Sequence, residues 1–228
     1  MKLSVLIASM NRKVALGKLL WRLIETTKGH EIEIIVAVDE DVNTVQSLVG
    51  YPFVSTLIFN QKRHGALACW NQALALSTGD MLFPCGDDQW PHMGWLDRAL
   101  AVHRNKLGGY GCVGFNDLMH APTGPAHEPV TMTTLIFDRR FCKEVFGGVV
   151  AIPCYKYLCV DCELNDRARA VGKLAWCEDA IVEHLHPANG KRQRDALDDE
   201  HAQWAEQDRA LYEARKAAGF PNDFKAVL

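Results

Sequence analysis

The 228-residue chain contains no run of about 18 consecutive apolar residues, the length a membrane-spanning helix needs, so no such helix is expected. Its first residues lack the long apolar core and small-residue cleavage site of an export signal. Met1 to Ser9 reads instead as a first strand, and the cytoplasm is the expected location. An excess of one charge is also missing: 25 Lys and Arg stand against 28 Asp and Glu, which gives no overall pull toward nucleic acid or an anionic membrane. There is no internal repeat and no low-complexity tract, and 48% hydrophobic with 23% charged residues is close to a soluble globular average. The segment Ala8-Ser9-Met10-Asn11-Arg12 holds no glycine. That absence counts against a nucleotidyltransferase, which would carry a glycine-rich phosphate loop early in the chain.

Cysteine, by contrast, is plentiful, with eight residues. Without an export signal these are expected to be free thiols. Cys154, Cys159, Cys162 and Cys177 follow the C-x4-C-x2-C…C spacing of plant-type iron–sulfur proteins. A cysteine-rich chain produces such a spacing by chance, and two of the four fall where a helix begins, so no cluster is expected.

The apolar run Leu3 to Ala8 has the pattern of a strand buried on both faces. Val14, Leu19, Leu20, Leu23 and Ile24 follow at helical spacing, and Ile32 to Val38 forms a second apolar run that stops at Asp39-Glu40-Asp41. Strand, helix and strand in this order predict a right-handed βαβ unit. The pattern repeats with Val54 to Phe59, an Ala-rich helix over 66–76 and the short strand Met81-Leu82-Phe83. Further on, Thr131 to Phe137 reads as a strand, 138–146 and 161–171 as helices, Leu174 to Trp176 and Ile181-Val182 as strand pieces, and 198–218 as a charged helical tail. The expected fold is α/β: an open, mostly parallel, Rossmann-like twisted sheet flanked by helices, with residues 1–190 as the domain and 191–228 as a helical extension packed on it. Ligands of such sheets bind outside the carboxyl ends of the strands, where Asp39 and Asp87-Asp88 fall.

Three motifs carry chemistry. In Cys85-Gly86-Asp87-Asp88-Gln89, two adjacent carboxylates follow a strand; crowded carboxylates repel and invite a hard divalent cation, although Gly-Asp-Asp is also ordinary turn chemistry. In Val182-Glu183-His184-Leu185-His186-Pro187, an extended backbone puts both imidazoles on one side, where they can serve Mn2+ beside a carboxylate. Asp161-Cys162-Glu163-Leu164 opens a helix. Acids there are stabilised by the helix dipole, and one of them is also placed to act as a general base.

The order of these parts resembles the family 2 glycosyltransferases of GT-A fold: Ser-Val-Leu-Ile-Ala-Ser at 4–9, Val38-Asp39-Glu40-Asp41, Gly65 with Asn71-Gln72-Ala73, Gly79-Asp80, Gly86-Asp87-Asp88, the Asp-x-Glu-Leu-x-x-Arg run from Asp161 to Arg167, and the late His184. The resemblance spans residues 1 to about 187 and implies a metal-dependent transfer of a sugar from a nucleotide-sugar donor to an acceptor hydroxyl, with inversion. Carried onto this chain, it implies Asp161 as base, with Glu163 or Asp166 as alternatives. Ser9, Arg12, Asp39, Arg63 and Asp87 would bind the nucleotide-sugar, and Asp88, His184 and His186 would hold Mn2+ or Mg2+. The first acid of the usual acidic pair is replaced by Val160, and the usual Asp-x-Asp element is contracted to Asp-Asp. The acceptor is expected to be a glycan or a lipid-linked sugar. The stretch from Gly86 through Trp95-Leu96 is similar to small bacteriophage transferases, and Lys191, Arg192 and Arg194 form a basic cluster, so a modified DNA base is the specific alternative. A non-catalytic scaffold of the same fold is the alternative from another class.

Overall fold

The first apolar run lies inside β1 (Lys2–Ser9), and its position explains its composition. Val5 and Ile7 point into one core cluster and Leu6 into the other, on opposite faces of the sheet, and all three are fully buried. The computed structural model describes residues 1–124, 128–222 and 224. After β1, α1 (Lys13–Thr26) buries Leu16, Leu19, Leu20 and Leu23, an i, i+3, i+4, i+7 stripe. Val14, expected on that stripe, faces solvent instead. Next come β2 (Glu31–Asp39), a short α2 (Val42–Leu48) capped by the Asp41 carboxylate, β3 (Thr56–Asn60), α3 (Ala66–Leu76) and β4 (Met81–Gly86). β1 pairs in parallel with β2 and β4, and β2 pairs in parallel with β3.

The second half completes the sheet with β5 (Gln89–Pro91), α4 (Trp95–Asn105), β6 (Cys112–Asn116), β7 (Leu135–Asp138), α5 (Arg139–Val145), α6 (Val160–Ala170) and β8 (Leu174–His184). The strand order is β3-β2-β1-β4-β7-β6-β8-β5. β7 runs against both β4 and β6, and β5 against β8, while β6 and β8 are parallel. The expected open, mostly parallel sheet is therefore present, with two reversed strands. β7 is shorter than the predicted run from Thr131, because the side chain of Asn165 takes the backbone N–H and C=O of Met132 at 3.1 and 2.9 Å in place of a ladder partner. The two predicted strand pieces near the end are one strand, in which residues 178–180 bulge out where the register shifts between Phe115 and Asn116. The tail is α7 (Ala196–Gln203) and α8 (Ala205–Ala217), broken at Trp204 rather than continuous.

One detail of pairing makes the site. β4 and β7 pair only at Met81–Asp138 and Leu82–Phe137, so the sheet parts beyond Leu82. Pro84, which has no N–H to donate, sits in the parted stretch and costs the ladder nothing there. The carboxyl ends of β1, β2, β4, β6 and β8 lie on the same edge as this opening.

Candidate active site

A cleft of about 360 Å³ fills the opening, lined among others by Ser9, Arg12, Asp39, Asp87, Asp88, Asp161 and His184. Volume and location suit a small-molecule ligand at the strand ends of an open sheet. The last residue of β1 is Ser9, whose hydroxyl donates to Asp87 Oδ2 at 2.8 Å, and the loop after it supplies Arg12, whose Nη1 donates to Asp87 Oδ1 at 3.2 Å and lies 3.7 Å from Asp88 Oδ2. At the end of β2, Asp39 is buried. Its oxygens accept from Asn60 Nδ2 at 2.8 Å and from the backbone N–H groups of His64 and Gly65 at 2.9 and 2.7 Å, with the Cys69 thiol at 3.2 Å. Asp39 thus holds the loop that carries Arg63 against the cleft, while Arg63 itself reaches Glu200 of α7 at 2.5 Å.

Asp87 and Asp88 form the turn between β4 and β5. A Cβ at Gly86 would sit 2.7 Å from Asp88 Oδ1 and would displace that carboxylate. The bulged β8 brings His184 opposite: its N–H donates to Asp117 O at 3.0 Å, the next residue's N–H donates to Asp88 O at 2.8 Å, and its Nε2 lies 3.6 Å from Asp88 Oδ2. That separation is too long for a hydrogen bond. Against the cost of burial, His184, Arg12 and Arg192 hold the Asp88 carboxyl below the usual range. Burial and the neighbouring Asp88 charge push Asp87 up. His186 lines the cleft too, its ring 5.1 Å from that of His184 and its Nδ1 accepting from Ala188 N–H at 3.1 Å.

A metal-binding reading of Asp88, His184 and His186 meets a mixed answer in the geometry. Among the described residues, no group of three His, Cys, Asp or Glu side chains is arranged around a common point. Yet His184 Nδ1 is buried without a hydrogen-bond partner, and a carboxylate oxygen faces the same ring. One carboxylate and one imidazole suit a Mg2+ or Mn2+ ion that takes its remaining ligands from a diphosphate and water. The donor set fits a cation that arrives with its ligand.

Across the cleft, Asp161 sits in the first turn of α6, where the N–H of Cys162 donates to its carboxylate at 2.9 Å. Burial pushes its carboxyl above the usual aspartate range, the direction that suits a general base. Glu163 points the other way. It is fully buried beneath the helix and accepts from Tyr155 Oη at 2.7 Å, from Arg167 at 2.7 and 2.9 Å and from Arg215 at 2.8 and 2.9 Å. Two positions along a helix rotate the side chain by about 200°, to the opposite side, so Glu163, expected as a second catalytic candidate, lies outside the cleft as the ion-pair partner of Arg167 and Arg215. Asp166 likewise pairs with Lys216 and Tyr212 on α8.

The four cysteines of the iron–sulfur spacing are divided by the sheet. Cys177 belongs to one core cluster and Cys154, Cys159 and Cys162 to the other.

Several residues that line the cleft or hold those that do stand outside the sequence expectations. Tyr157 stacks on His201 of α7 with centroids 3.4 Å apart, and Asp195 and Asp198 bind Arg12 at 2.9 and 3.3 Å. Arg192, expected only as part of a basic cluster, spans Asp198 at 2.5 Å and Asp88 at 3.4 Å. Asp117 and His120 follow β6 as Asp39 ends β2, an apolar run stopping at an acid. That parallel is the one sequence signal that marks them.

A sequence model of glycosyl transferase family 2 matches residues 4–155. No curated protein sequence matches the chain. Among solved structures, a mannosyltransferase from Pyrobaculum calidifontis in complex with GDP-Man and Mn2+ is similar with a TM-score of 0.65 at 16% identity over 83% of this chain. S. aureus TarS is similar with a TM-score of 0.60 at 13% identity over 80% of it. The chain spans 58% of the first and 36% of the second.

Proposed function

The chain belongs to glycosyl transferase family 2, and from that membership we propose that it transfers a sugar from a nucleotide-sugar to an acceptor hydroxyl in a single, inverting displacement. The observation that carries this reading is one cleft holding both halves of the chemistry: Asp88 facing the His184 ring on one wall and the buried carboxyl of Asp161 on the other. Asp161 takes the proton of the acceptor hydroxyl, the acceptor oxygen bonds to the anomeric carbon, and the bond from that carbon to the diphosphate breaks. Ser9 and Arg12 fix Asp87 in place for the nucleotide, and Asp39 keeps the loop bearing Arg63 at the cleft rim. Asp88 and His184, with His186 beside them, are the residues that would hold Mn2+ or Mg2+. The bound ion would offset negative charge on the departing nucleoside diphosphate.

The acceptor we favour is a hydroxyl of a glycan or lipid-linked sugar. A DNA acceptor draws no support from the basic cluster, since Lys191 pairs with Glu183, Arg192 with Asp198 and Arg194 with Asp199. Residues 191–228 belong, in this proposal, to the same unit as residues 1–190. Among the described residues no helix is long and apolar enough to cross a membrane.

Thermal melting with each nucleoside diphosphate, with and without Mn2+, combined with nucleoside diphosphate release from the matching nucleotide-sugars, tests the reading. A ligand at about 100 times its Kd stabilises by about 2.7 kcal/mol. We expect a metal-dependent shift for one nucleotide, release from its sugar conjugate, and loss of both in Asp88→Ala. Folded protein that releases no nucleoside diphosphate from any of them overturns it.

A further inference from the structure

Beside the cleft, one turn of the chain is held in a costly conformation. β6 ends at Asn116, and Leu118 follows with φ 56°, in the left-handed region that leucine rarely adopts. Such strain persists where the surroundings over-determine it. Burial is not what compensates, because Leu118 is 46% exposed. Hydrogen bonds are. Asp117, 2% exposed, accepts at Oδ1 from the N–H groups of Met119 and His120, both at 2.9 Å, and at Oδ2 from the Thr133 hydroxyl and the His120 ring nitrogen Nδ1, both at 2.7 Å. Asn116 adds its side-chain oxygen, which accepts from Leu118 N–H at 3.1 Å.

The product of this turn is one oriented imidazole. With Nδ1 committed to Asp117, the ring of His120 has only Nε2 to offer, and among the described residues Nε2 has no protein partner. His120 lines the cleft together with Asp161. It also lines a second hollow, which shares Met119, His120, Thr133, Leu158 and Asp161 with the cleft and leads outward past Thr131 and Arg209. Asp87, Asp88 and His184 line only the first cavity. The donor's diphosphate belongs at that end, so the second hollow meets the donor cavity at the wall made by Asp161 and His120.

We propose that this second hollow is the acceptor subsite, and that His120 is a further catalytic residue whose Nε2 hydrogen-bonds the acceptor beside the hydroxyl that Asp161 deprotonates. Asp117 is its positioning residue. The inference rests on the transferase reading and names the acceptor's chemical class. A hydroxyl both donates and accepts, so it satisfies Nε2 whether the ring is neutral or protonated; a carboxylate suits only the protonated ring and an ammonium only the neutral one. Threonine hydroxyls at 131 and 133 continue the same chemistry along the wall. The acceptor is a polyhydroxyl compound, a sugar or polyol, that presents a second hydroxyl next to the attacking one.

The test follows nucleoside diphosphate release from the nucleotide-sugar, first with water alone and then with methyl hexosides as acceptor probes. His120→Ala is expected to lower release by about tenfold or more while the melting shift with nucleoside diphosphate stays that of the wild type. Added imidazole restores part of the lost rate in His120→Ala and does nothing for the wild type. Asp117→Asn raises KM for the hexoside probe and leaves nucleotide binding alone, a split that loosening of the whole fold would not produce. Release within twofold of wild type in His120→Ala, with Asp161→Asn inactive, overturns the inference and leaves the transferase reading standing. Loss of the nucleotide shift in His120→Ala assigns the ring to the donor side and overturns it equally. A wild type that releases no nucleoside diphosphate refutes the transferase reading itself and takes this inference with it.

Discussion

Asp161 and Glu163 are two residues apart on one helix and have opposite fates. Asp161 faces the cleft with the Cys162 N–H donating to its carboxylate, and burial raises its pKa. Because the raised value belongs to the folded state, ionising Asp161 costs stability, and the cost is complete once the pH exceeds the folded pKa. Asp161→Asn is therefore expected to melt higher than wild type at neutral pH, with the difference vanishing in acid where both side chains are uncharged. The same variant should lose sugar transfer by about 10²–10⁴-fold while still binding nucleoside diphosphate. Melting curves across pH, paired with release assays, check both halves. A variant that loses stability and activity together would make Asp161 a structural residue.

At the scale of the element, α6 is a helix with a catalytic face and a structural face. Its buried side places Glu163 against Arg167 of the same helix and Arg215 of α8, with Tyr155 completing the carboxylate's partners. These partners hold the Glu163 carboxyl below its ordinary value despite the cost of burial. Its contribution to stability is present above the unfolded carboxylate pKa and lost as the pH falls through the folded one. Removing one member of such a buried set leaves charge uncompensated, at a cost of about 3–5 kcal/mol. Glu163→Ala should show that loss in denaturant melts at pH 7. It should retain the nucleotide-induced shift, as Asp161→Asn does, while its own stability changes in the opposite direction to that variant's.

At the scale of the molecule, the last forty or so residues are tied to the cleft from behind as well as in front. Asp208 of α8 is fully buried and accepts from the N–H groups of Lys156, Tyr157 and Leu158 at 2.9, 2.8 and 2.7 Å, fixing the strip that presents Tyr157 and Leu158 to the ligand. Arg12 reaches Asp195 and Asp198, and Arg215 completes the partners of Glu163. Cutting the chain after residue 190 would take the Asp208 carboxylate away from three partly buried N–H groups and unpair Glu163 from α8. The 1–190 fragment is expected to lose cooperative melting and nucleotide binding, measurable by circular dichroism. A fragment that melts cooperatively and binds nucleotide would make residues 191–228 a separable appendage.

The sequence by itself determined the half of the molecule that runs from β1 to β4. β1, β2 and β4 are apolar runs because they are buried on both faces, and each meets polar residues where the sheet edge reaches the cleft, which is how Ser9, Asp39 and Asp87-Asp88 were legible as neighbours. It also marked Asp161 and His184 as chemistry-bearing, since acids in a first helical turn and a histidine at a strand end are local patterns. Tertiary structure alone decided which acid of α6 meets the ligand, because which side of that helix faces the cleft is set by the packing of α8 and not by anything within residues 160–170. It decided likewise that Arg12 and Arg192 converge on Asp88 from positions 180 residues apart, and that the strained turn at Leu118 turns His120 toward Asp161. Contacts between residues far apart in the chain leave no periodicity and no motif, so only the folded sheet, opened by the short pairing of β4 with β7, brings them into one site.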